Sequence, residues 1–248
     1  MVKGNIFIGT SGWVYKEWAN EFYQGLKPRE HFAYYATQFS TVEINATFYR
    51  LPTPAMVRGW RDRAPEPFVF SIKGSRFITH IKRLNNLGHS LANFIRRLQP
   101  LRPRLGPILW QLPPNLGPDL PRLEKFLKRL PEKYSHAIEF RHPDWFSEPS
   151  FALLRKYRMA LVSVSSLRMP VNFSVTTDFV YIRFHGLTGG PQHDYSEAEL
   201  KPWARHIRSQ ARAGRNVHAY FNNDLNVRAP NNAKLLMSLC GEAVVHPF

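Results

Sequence analysis

The sequence predicts an α/β fold of the (β/α)8 barrel type, in one domain spanning residues 1–248. Three observations carry this. Short apolar runs recur roughly every thirty residues. Several are apolar nearly throughout, as in Ile6-Phe7-Ile8, the pattern of strands buried on both faces and paired in parallel. Amphipathic helical stretches lie between them, and such alternating units close into a barrel. An open doubly wound sheet is the alternative. No Gly-x-Gly-x-x-Gly turn follows the first run, which argues against a dinucleotide-binding version.

The expected strands are Asn5–Gly9, Thr41–Asn45, Phe68–Lys73, Pro107–Leu112, His136–Phe140, Ala160–Val164, Phe179–Phe184 and Val217–Phe221. Helices are expected between consecutive strands. Thr53-Pro54 has the form of an N-cap followed by proline in the first turn. Leu87, Leu91, Phe94, Ile95 and Leu98 make one apolar stripe, and Leu123, Phe126, Leu127 and Leu130 make another. Ser196-Glu197-Ala198-Glu199 is a capping box for a helix running to about Arg212, with Trp203, Ile207 and Ala211 on its core side. The Pro-rich segments Leu98–Pro107 and Pro113–Pro121 are expected as loops around the fourth strand.

The single cysteine, Cys240, excludes an internal disulfide framework and any Cys-cluster metal site. It precedes Gly241, a helix-ending glycine, and is expected to be buried and inert. The apolar stretch near Met1 is too short for a signal peptide, and no run approaches membrane-spanning length, so a cytoplasmic protein with no membrane contact is expected. Lys plus Arg outnumber Asp plus Glu by 34 to 18, a net charge of +16, which favours polyanions or anionic small molecules as partners. Lys201, Arg205, Arg208, Arg212 and Arg215 repeat at helical spacing and form one basic stripe, either a polyanion contact or a solvated face.

Barrel enzymes place their chemistry at the C-terminal ends of the strands. Here those ends carry Glu43, Asn45, Lys73, Gln111, Glu139, Arg141, Arg183, His185 and Asn222. Trp13, Tyr49 and Trp145 follow closely, either as aromatic walls for a sugar or base or as packing between the upper loops. Charges inside a barrel must be paired or solvated. The ring is therefore either a salt-bridged plug or a site holding acid, base and anion-binding groups. Glu43, Glu139 and His185 are the candidates for proton transfer. The two glutamates, with His185 and an Asn or Asp, are also candidate ligands for a divalent metal; the other histidines, such as His80, His142 and His193, form no metal-ligand spacing, and the sequence identifies no cofactor. Gly186-Leu187-Thr188-Gly189-Gly190 is either an anion nest or a mobile lid, and Thr10-Ser11-Gly12 either an anion nest or a turn.

Taken in order, several strand-end segments resemble the YecE-like family, known as domain of unknown function 72. They are Gly9–Trp13, Thr41–Tyr49, Phe70–Lys73, Ile78–His80, Gln111–Pro114, Glu139–Trp145, Tyr181–Gly186 and Tyr220–Asn223. The resemblance covers nearly the whole chain and implies a TIM barrel with these segments at its C-terminal face. It implies no particular reaction. In the family the sixth strand usually ends in an acidic residue, where this chain has Ser163-Val164-Ser165-Ser166. The reading that results is an enzyme acting on an anionic small molecule, a phosphorylated, sugar or nucleotide derivative. Arg141, Arg183 and Lys73 would hold the anion, and Gln111 and Asn222 would orient it. A nucleic-acid-binding protein or nuclease, and a non-catalytic ligand-binding barrel, are the alternatives.

Overall fold

A computed structural model describes residues 3–247; Met1 and Val2 of the N-terminal stretch, and Phe248, lie outside the described residues. The strands are β1 (Ile6–Thr10), β2 (Thr41–Ile44), β3 (Val69–Lys73), β4 (Leu105–Gln111), β5 (His136–Glu139), β6 (Ala160–Ser165), β7 (Phe179–Phe184) and β8 (Asn216–Phe221). All neighbours pair in parallel, in the order β1-β8-β7-β6-β5-β4-β3-β2. The ring closes between β1 and β2 at their C-terminal ends. There Ser11 bridges to Glu43 in parallel, and the Gly12 N–H donates to the Glu43 carbonyl over 2.8 Å. Gly9 is required at this seam, because a Cβ there would lie 2.3 Å from the Thr41 carbonyl oxygen.

Helices surround the sheet: α1 (Trp18–Glu21), α2 (His31–Gln38), α3 (Ala46–Tyr49), α4 (Pro54–Arg63), α5 (Ser90–Leu98), α6 (Leu120–Leu127), α7 (Glu148–Lys156), α8 (Glu197–Arg212) and α9 (Arg228–Cys240). The caps read from the sequence form. Thr53 Oγ1 accepts from the Met56 N–H, and Ser196 and Glu199 make a reciprocal capping box. Two expected stripes are trimmed: Leu87 precedes α5, and Leu130 follows α6.

The β6–β7 connection corrects the expectation of a helix after every strand. Residues 166–178 form no helix. Pro170 and the β-branched Val171, Val175 and Thr176 disfavour one. Thr176 instead holds the start of β6 side-on, accepting from the Leu161 N–H and donating to the Met159 carbonyl. Phe173 packs on Trp203 and stacks on His206 of α8, covering part of the surface a helix would cover.

Two apolar layers result. The larger lies between sheet and helices and includes Trp203, Ile207 and Ala211 of α8. The smaller fills the barrel with Leu109, Ala137, Ala160, Val162, Val164, Phe179, Tyr181 and Tyr220. Strand periodicity of two lifts the inward series of each strand toward the mouth. Tyr181 leads to Arg183 and His185, Ala137 to Glu139 and Arg141, and Tyr220 to Asn222. Cys240 is buried in the outer layer, and burial pushes its thiol up to about 12. No described helix is long and apolar enough to cross a membrane.

Candidate active site

The mouth is organised around Arg183, which is wholly buried. Its position is dictated from below. Tyr181, two residues earlier on β7, fills the barrel and sends its hydroxyl up to Glu43 Oε2 at 2.7 Å. Tyr220 does the same from β8, meeting the hydroxyls of Thr41 and Ser71 at 2.8 Å each. These buried hydroxyls are all satisfied, so they hold the layer above in one arrangement.

On that layer, one Arg183 nitrogen donates to Glu43 Oε1 at 2.8 Å and the other to Glu139 Oε2 at 2.6 Å. Ser11 Oγ adds a 2.7 Å bond to Glu43 Oε1. Glu139 Oε1 collects three donors: Arg141 at 2.7 Å, Gln111 Nε2 at 2.9 Å and His185 Nε2 at 3.0 Å. Burial pushes the Glu139 pKa up, but the charges of Arg183 and Arg141 and the hydrogen bond from His185 outweigh it and hold the carboxyl well below the usual range. Burial disfavours the Arg183 charge, yet Glu43 and Glu139 secure it. What lies between the two carboxylates is therefore a guanidinium. Among the described residues, no three His, Cys, Asp or Glu side chains are grouped to hold a metal ion.

This geometry redistributes the expected roles. Arg183 spends both terminal nitrogens on Glu43 and Glu139, its Nε–H is buried without a partner among the described residues, and it has no exposed surface for an external anion. Arg141 gives one nitrogen to Glu139 and keeps 30 % of its side chain exposed. Lys73 ends β3 nearly buried, its ammonium 4.3 Å above the Phe48 ring. Burial pushes its pKa down to about 8. Arg183 and Arg141 push the same way, while Glu43 and Glu139 oppose. His185 is held neutral: burial, opposed by Glu139 and aided by Arg183, brings it down to about 4. A proton on Nε2 satisfies Glu139 and leaves Nδ1 as an acceptor with no protein partner.

Asn45 and Asn222 meet at the rim, the Asn45 amide 3.4 Å from Asn222 Oδ1, with Arg183 equally distant from that oxygen. Trp13 lies half-buried against Phe32. Two aromatic residues do not join the ring. Trp145 is buried beneath the β5 loop, stacked on Phe140, with its N–H donated to the Leu116 carbonyl. Tyr49 stands 80 % exposed on the outer rim. Neither glycine segment is a free nest. The Ser11 and Gly12 amides close the barrel. The Gly186 amide donates to the Tyr195 hydroxyl, and Gly186 is needed because a Cβ would meet the Gly190 carbonyl at 1.8 Å.

Two parts of the network were not among the expected site residues. Tyr181 and Ser11 both bind Glu43, and the signal for each was present. Tyr181 precedes Arg183 by two, as Ser11 follows Gly9 by two, so both share the inward face of their strands. On β6 the inward residue is Val164; Ser165 points outward and accepts from Tyr195. On the outer surface, the basic stripe is interrupted. Arg208 donates to the Leu239 carbonyl, Lys201 pairs with Glu197, and Arg215 lies beyond α8.

The comparisons agree with this architecture. The family model described as "Protein of unknown function DUF72" matches residues 7–247. The UPF0759 protein YecE of Escherichia coli K12 is 35% identical over 144 residues, 58% of this chain. That match spans about half, 51%, of the relative's own length. The UPF0759 protein YunF of Bacillus subtilis is 22% identical with 94% of each chain covered. Among solved structures, a DUF72 family protein from Thermotoga maritima superposes with a TM-score of 0.88 at 29% identity, covering 96% of this chain and 100% of that one.

Proposed function

The chain belongs to the DUF72 family, and on that premise we propose that its mouth binds a small anion, a phosphorylated, sugar or nucleotide-like molecule, and transfers protons on it. One observation carries the reading. The ring holds three cations, Arg183, Arg141 and Lys73, against two carboxylates, Glu43 and Glu139. Arg183 is wholly buried with both terminal nitrogens on the carboxylates, so the unneutralised charge resides with Arg141 and Lys73. Unneutralised positive charge at the barrel mouth favours anions. Glu43, Arg183 and Glu139 form its fixed floor. Glu139 orients His185, whose free Nδ1 serves as proton acceptor.

The test is a thermal-shift titration with inorganic phosphate and phosphosugars at low and moderate salt. Ligand at a hundred times its Kd stabilises by about 2.7 kcal/mol, a rise of roughly 5–10 °C for a chain of this size. The rise is expected to persist in moderate salt and to vanish in Arg141→Gln. No stabilisation by any of these anions, or full stabilisation retained in Arg141→Gln, refutes the reading.

A second reading rests on the rim. Tyr49 at 80 % and Phe77 at 45 % exposure stand beside exposed Arg50, Arg76 and Lys82, with Lys82 5.6 Å over the Phe77 ring. Aromatic faces interleaved with cations suit single-stranded nucleic acid. Its affinity would fall steeply with salt and weaken in Tyr49→Ala. Oligonucleotide binding absent at low salt removes this reading.

A further inference from the structure

We propose that Lys73 forms an imine with its substrate, so that the molecule taken at the mouth is a small anionic aldehyde or ketone. The inference deepens the anion-binding reading and rests on it for the charge of the substrate.

The geometry sets Lys73 apart from the other lysines. It stands at the C-terminal end of β3, inside the ring of strand ends. Its backbone carbonyl is clamped by Thr47 Oγ1 at 2.6 Å, which locks β3 to the start of α3. Its ammonium rests on the Phe48 face, and Phe48 is in turn fixed edge-on against His80, ring centroids 5.0 Å apart. Among the described residues, Lys73 has no ion pair within 4.0 Å and its ammonium donates no hydrogen bond. The two carboxylates of the ring are already taken, Glu43 by Ser11, Tyr181 and Arg183, and Glu139 by Arg183, Arg141, Gln111 and His185.

A lysine held this way is unlike a surface one. Desolvation and neighbouring cations both favour the neutral amine, the arrangement that activates lysine as a nucleophile. The charged groups facing it are Arg183 and Arg141, which promote the neutral form, and Glu43 and Glu139, which oppose it. His80, beside it, is itself held neutral, down to about 4, by burial and then by the Lys73 charge. With a pKa of about 8, roughly a tenth of the amine is neutral at pH 7, against less than roughly a thousandth for an ordinary lysine.

The step balances without an oxidant. The Nζ lone pair adds to the carbonyl carbon, and the C=O π pair moves to oxygen. Oxygen takes a proton and Nζ loses one, giving a carbinolamine. A second protonation of oxygen releases water, and the nitrogen lone pair closes the C=N bond. Arg141 holds the anionic group. The iminium then withdraws electrons from the adjacent carbon, which suits proton abstraction or carbon–carbon cleavage beside the carbonyl.

The experiment uses the full chain with glyoxylate, pyruvate and pyridoxal phosphate, each with cyanoborohydride, followed by peptide mass mapping. We expect a reduced adduct on Lys73 forming at least tenfold faster than on the exposed Lys201. Its rate should rise about tenfold per pH unit up to about 8 and then level off. Labelling of Lys201 and Lys128 as fast as Lys73, or a Lys73 rate still climbing at pH 10, overturns the proposal. The wild-type measurement does not depend on any variant folding. Phosphate stabilisation of the wild type and of Lys73→Arg is read in parallel. Stabilisation of both with no Lys73 adduct overturns the imine and leaves the anion reading standing. A Lys73 adduct without phosphate stabilisation or protection supports the imine and overturns the anion reading.

Discussion

Replacing Glu139 by glutamine tests the floor of the mouth, and its cost follows from counting donors. Four fixed donors converge on the carboxylate: Arg183 at 2.6 Å, Arg141 at 2.7 Å, Gln111 at 2.9 Å and His185 at 3.0 Å. A carboxamide has one acceptor oxygen and brings two N–H groups of its own. If the oxygen takes the Oε1 place, the NH2 faces the Arg183 guanidinium, donor against donor. An unsatisfied buried donor costs about 1–3 kcal/mol, and removing one partner of a buried ion pair costs about 3–5 kcal/mol in all. We expect Glu139→Gln to destabilise by that larger amount. The variant is therefore a stability probe before it is a probe of turnover.

Glu43→Gln is the internal control, because it removes the same charge from the same guanidinium. Two of its three donors are the hydroxyls of Ser11 and Tyr181, which rotate and accept as readily as they donate. Its cost should be lower by at least about 1 kcal/mol, one missing donor's worth. Equilibrium urea unfolding reads both. With a slope of about 2–3 kcal/mol/M, the Glu139→Gln midpoint should fall by roughly 1–2 M. The reasoning is refuted if Glu43→Gln proves the more damaging, or if Glu139→Gln costs under about 1 kcal/mol.

Three further outcomes are expected. Gly9→Ala forces a Cβ to within 2.3 Å of the Thr41 carbonyl at the barrel seam and should yield insoluble protein, whereas Gly59→Ala in α4, with nothing within 4 Å, should gain about 0.5–1 kcal/mol; soluble expression and melting temperature decide. Ser196→Ala removes the cap of α8 and should cost about 1 kcal/mol, or roughly 2–4 °C in melting temperature, a loss absent if the box contributes nothing. His218 is buried against Phe7, and burial pushes its pKa down to about 3. The folded state then binds fewer protons than the unfolded one between about pH 6.5 and 3, so stability falls as pH drops through that window. His218→Phe should flatten the fall by up to about 1.4 kcal/mol per pH unit; parallel wild-type and variant curves at pH 7, 6 and 5 would exclude this account.

Much of this molecule was legible in its sequence, because the signals are local. Apolar runs such as Ile6-Phe7-Ile8 have nowhere to go but a strand buried on both faces. Ser196 and Glu199 specify a helix start through atoms three residues apart. The two-residue period of a strand puts Arg183 and His185 on one face whatever surrounds them. The membership of the ring, Glu43, Lys73, Gln111, Glu139, Arg141, Arg183, His185 and Asn222, followed from that period and from the barrel's polarity.

What the sequence left open was the pairing within the ring. Glu43 and Arg183 lie 140 positions apart, and only closure of the barrel sets them at 2.8 Å. Closure made Arg183 a buried clamp instead of an anion grip, drew Trp145 under a loop, and turned Thr10-Ser11-Gly12 into the seam. It also left Lys73 without a counter-ion. Composition counts charges, but which cation goes unpaired depends on which carboxylate each donor can reach, and that distance exists only in the folded barrel.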